Sequence, residues 1–81
     1  MNEALSCIED TLRLLLDEAK ESRQAAVAGR GSPGEGFVVG RAEALTEVLH
    51  TWANQIQTFG LDAQLNGVWT EMREFLASEG Y

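Results

Sequence analysis

With 81 residues the chain has room for one domain and one modest core, and so small a core confers only marginal stability. One cysteine, Cys7, excludes an intramolecular disulfide, and one histidine, His50, excludes a Cys/His metal cage. Thirteen acidic against six basic residues give a net charge of −7, which argues against direct nucleic-acid binding, because phosphates are held by a surplus of Lys and Arg.

Small domains without disulfides or metals often gain stability by association, so a homo-oligomer is expected, with a dimer favoured. No apolar run reaches membrane-spanning length, and the Met1-Asn2-Glu3 start lacks the basic region of a secretory signal. With a lone cysteine, this predicts a cytoplasmic protein that does not enter a membrane.

The first predicted helix covers about residues 2–28. Leu5, Ile8, Leu12, Leu15, Ala19, Ser22 and Ala26 follow in steps of three and four, the period of an amphipathic helix. Asn2 suits the N-cap, and Glu3 suits the positive end of the helix dipole. Leu14, Leu16 and Cys7 widen this apolar stripe. A helix apolar beyond its core stripe is often covered on a second side, so Leu14 and Leu16 are the candidate self-association contacts. Cys7, at the stripe's edge, reads as a small buried or half-buried thiol.

A loop follows over residues 29–36, with four glycines and Pro33. It reverses the chain, so the helices on either side should pack antiparallel. Ser32-Pro33-Gly34-Glu35 fits a capping box for the second helix. The loop has no Gly-Lys-Ser/Thr ending and no preceding strand, so it is not a P-loop. Lys20, Arg23, Arg30 and Arg41, four of the six basic residues, should nevertheless gather near it. They form a candidate site for a small anion such as a nucleotide.

The second helix is predicted over about 37–59. Val38, Ala42, Leu45, Leu49, Trp52, Ile56 and Phe59 are spaced four, three, four, three, four, three, which no strand could place on one face. Gly60 follows as a terminator. The third helix is predicted over about 62–78, with Leu65, Val68, Trp69, Met72, Phe75 and Leu76 on one face and Asn66-Gly67 as a weak point. The last three residues should fray. Trp52 and Trp69 lie on the predicted core faces.

The expected fold is all-α, an antiparallel hairpin of two long helices with a shorter third helix, associating into a larger bundle. No catalytic residue and no cofactor is predicted, since the abundant carboxylates fall on a solvated helix face that offers no perturbed environment. The expected function is therefore non-enzymatic protein–protein binding, as an inhibitor, adaptor or immunity-type regulator. Asp10, Asp17 and Glu21 form the acidic face that would meet a basic partner, or would imitate phosphates toward a nucleic-acid-binding protein.

Overall fold

A computed structural model describes residues 2–81. The described residues form three helices and no strand: α1 Glu3–Ala28, α2 Glu35–Thr58 and α3 Asn66–Ser78. α1 and α2 make a long antiparallel hairpin. At about 1.5 Å per residue, the 26 residues of α1 account for most of the 45 Å long axis. α3 lies along the hairpin parallel to α1, because Arg13 pairs with Glu71 and, further along both helices, Arg23 pairs with Glu79.

α1 starts where expected. The Asn2 side chain accepts a hydrogen bond from the Leu5 backbone N–H at 2.8 Å. α2 starts differently from the capping-box expectation. Ser32 Oγ donates to the Gly29 carbonyl at 2.6 Å, and the Glu35 carboxylate accepts from the Gly31 N–H at 3.3 Å. Both side chains therefore serve the loop, and α2 begins at Glu35 with no side-chain cap.

α2 closes through Gly60, which has φ +68. The Leu61 N–H reaches the Ile56 carbonyl at 2.9 Å and the Gly60 N–H reaches the Gln57 carbonyl at 3.1 Å. This left-handed-glycine cap satisfies carbonyls that the helix cannot. Residues 62–65 then form a turn, so α3 starts at Asn66, four residues later than the 62 expected from the apolar spacing. The Asn66-Gly67 pair opens the helix and does not interrupt it.

The end of α3 also corrects an expectation. The same cap recurs with Gly80 at φ +94, the Tyr81 N–H bonding the Leu76 carbonyl at 2.9 Å. The Tyr81 ring lies 4.4 Å from the His50 ring of α2, and Glu79 is paired with Arg23 of α1. The segment predicted to fray is thus clipped to both long helices.

The core contains Leu12, Leu16, Leu49, Ile56, Leu65, Val68, Met72 and Leu76, with Ala19 and Ala53 among them. Small side chains at Ala19, Ala42 and Ala53 are fully buried. Trp52 and Trp69 are only half-buried and Phe59 is exposed, so these three flank the core, whereas Phe75 is buried in it as the spacing predicts. The Arg73 guanidinium stands over Trp69, 5.6 Å from its centroid.

Two glycines give opposite predictions. A Cβ at Gly40, inside α2, would meet nothing within 4 Å. Gly40→Ala should stabilise by about 0.5–1 kcal/mol and raise the thermal midpoint by roughly 2–8 °C. Gly60→Ala should destabilise by about 1–2 kcal/mol, because its φ is left-handed. Thermal melts of the two variants check both signs.

Candidate binding surface

The acidic row on α1 is where periodicity puts it. Glu3, Asp10, Asp17 and Glu21 are all exposed. Among the described residues, the ion pairs involve only Glu71 and Glu79 on the acidic side, so the row has no cationic partner among them.

The basic group behaves differently from the anion-site expectation. Lys20 and Arg30 are exposed. Arg23 turns to Glu79, a charge contact without good hydrogen-bond alignment that leaves Arg23 Nε buried and unpartnered. Arg41 donates to Ser22 Oγ at 2.5 Å. A cleft of about 280 Å³ lies beside Arg23, lined also by Glu43, Thr46, Glu47, Glu79 and Tyr81. Three carboxylates against one guanidinium make it a poor place for an anion. The partners Glu79 and Ser22 could not be read from spacing, since α3 brings one and the hairpin register the other.

The two self-association candidates on α1 part company. Leu14 is 67% exposed, but Leu16 is 2% exposed and belongs to the core. The reason is that α1 packs against both α2 and α3. A helix with two neighbours buries a wider arc, so the surplus on the Leu16 side is covered within the chain. Cys7, expected to be at least half-buried, is exposed and free.

The large uncovered apolar surface lies on α2 instead. Phe37 is 78% exposed, Phe59 72% and Val48 42%. Half-buried Leu45 and Trp52 border them. Near Phe59 the surface deepens into an apolar cleft of about 260 Å³, lined by Ile8, Trp52, Gln55, Ile56, Phe59 and Leu61. Tyr81 meets α2 at His50, and Trp52, two residues on, faces nearly the opposite way. The band is therefore on the flank of α2 that α3 leaves open. A signal for it existed in the sequence: Phe37, Ala44, Val48, Gln55 and Phe59 recur at seven and four, displaced by one residue from much of the α2 core stripe.

No three His, Cys, Asp or Glu side chains among the described residues converge in a way that could hold a metal ion. Among the described residues no helix is long and apolar enough to cross a membrane. No family model, no curated protein and no solved structure matches the chain.

Proposed function

We propose that this chain is a non-enzymatic binding protein, of the inhibitor, adaptor or immunity type, whose working surface is the apolar band of α2. The observation that carries the reading is the exposure of Phe37, Val48 and Phe59 along one face of α2 and its C-cap. Exposed apolar surface grouped in this way marks interaction sites in soluble proteins. The free thiol at Cys7 suits a reducing compartment such as the cytoplasm. The double substitution Phe37→Ser, Phe59→Ser removes surface without opening the core. It should keep the helical circular-dichroism spectrum and abolish association with whatever the wild-type chain binds. Retained association by that variant would overturn the reading.

A second surface is favoured by the unpaired carboxylates of α1. Glu3, Asp10, Asp17 and Glu21 would steer a basic partner, quickening encounter more than deepening affinity. Binding of a basic protein should then weaken with added salt, because exposed charges are screened over about 10 Å at 0.1 M ionic strength. Replacing Asp10, Asp17 and Glu21 with Asn, Asn and Gln should slow association by roughly tenfold and leave the fold intact. Stopped-flow rates unaffected by both changes would rule this surface out.

A further inference from the structure

The exposed band of α2 is centred on Val48 and carries a phenylalanine at each end. Phe37 and Phe59 stand eleven residues on either side of Val48, Arg41 and Gln55 seven, and Ala44 and Trp52 four. Offsets of four, seven and eleven return to one face of an α-helix, and the band spans about 33 Å. We propose that this band docks on the same band of a second copy of the chain, the two α2 helices running antiparallel about a two-fold axis at Val48. The proposal rests on the reading of the band as the binding face and supplies its occupant.

A two-fold interface requires one patch to be complementary to itself, so that residue i meets j and j meets i. The order of residues along α2 meets that condition. Val48 faces Val48 of the second copy. Ala44 gives room for Trp52 of the second copy, and Phe37 faces Phe59 of the second copy. A different partner protein would place no such demand on the order of residues.

Charge selects the antiparallel direction. Arg41, whose guanidinium reaches from the band's edge to Ser22 of α1, is the one charged residue of the band, and the antiparallel register sets it opposite neutral Gln55. A parallel register would set Arg41 against Arg41, a costly like-charge contact. No carboxylate lies on the band, so a chain of net charge −7 brings its least acidic long-helix face to the contact. The area also suffices. Phe37 and Phe59, mostly exposed, would contribute about 300 Å² per copy. With Val48, Gln55 and the exposed parts of Leu45 and Trp52, the two copies together approach roughly 1,000 Å², the lower bound of a specific interface.

The test is sedimentation of the full chain in the high-micromolar range, with variants. The wild-type chain should sediment as a dimer, and the dimer should tighten with added salt, since two chains of −7 repel each other. Val48→Glu, at an exposed helix position, should keep the helical spectrum and weaken the dimer by about 100-fold, because it sets two carboxylates face to face. In a Cys7→Ser background, Val48→Cys should cross-link to a disulfide dimer on oxidation, and Leu14→Cys should not. A dimer that survives Val48→Glu, or that cross-links through position 14, overturns the proposal. So does a monomer throughout. If that monomer captures a host protein that the Val48→Glu variant loses, the band is a binding face with another occupant. If no capture depends on position 48, both readings fail.

Discussion

Leu16→Ala should lower the free energy of unfolding by about 2–5 kcal/mol, whereas Leu14→Ala should change it by no more than about 0.5 kcal/mol. The two leucines are two residues apart on one helix and chemically identical. Leu16 is 2% exposed among Leu12, Leu65 and Met72 in the core, and Leu14 is 67% exposed. Truncating the first leaves a cavity between helices, and truncating the second removes surface already in water. A domain of this size has a total stability near the low end of the usual range of about 5–15 kcal/mol. Leu16→Ala should therefore lower the thermal midpoint by roughly 10 °C or more. Urea titrations at one fixed protein concentration check the contrast, since association would stabilise any variant by mass action. Equal effects at the two positions would show that α3 does not cover the Leu16 side of α1.

The second large effect is expected at the clip between α1 and α3. Arg23→Ala should destabilise by about 1–3 kcal/mol, because it strands the Glu79 carboxylate, whose side chain is only 13% exposed. Removing both partners, in Arg23→Ala with Glu79→Ala, should recover much of the loss. Arg13→Ala should cost less than about 0.5 kcal/mol, because Arg13 and Glu71 are 45% and 47% exposed and their pair is screened by water. A double-mutant cycle on each pair gives the two coupling energies directly. Equal couplings would mean that burial does not distinguish the pairs and that the end of α3 is not held by Arg23.

Periodicity made the helices legible. The alternating steps of four and three from Val38 to Ile56 could describe only a helix, and Asn2 marked the start of α1 by its capping chemistry. The loop was legible from its glycines. What periodicity could not supply was the placement of α3 around the hairpin. That placement decides whether the surplus of α1 at Leu16 is buried or open, and it brings Glu79 to Arg23. It also hid the apolar band. Phe59 fits the spacing of the α2 core stripe, but it is the C-cap residue, beyond the last packed turn, and is largely exposed to solvent. Leu65 continues the apolar spacing of α3 backwards into a turn that the Gly60 cap has already begun, so spacing alone places the start of α3 too early. The acidic row was legible in full, since it depends on α1 alone.

The two tryptophans give the most direct test of the central claim, that a second copy of the chain docks on the open band of α2. Trp52 borders the band and its apolar cleft, and Trp69 lies on α3 beneath Arg73. Each contributes one indole N–H resonance to a proton–nitrogen correlation spectrum. In a dilution series of the full chain, the Trp52 indole signal should move with protein concentration and the Trp69 signal should stay in place. Movement of Trp69 alone, or no movement of either signal up to millimolar protein, would contradict the account.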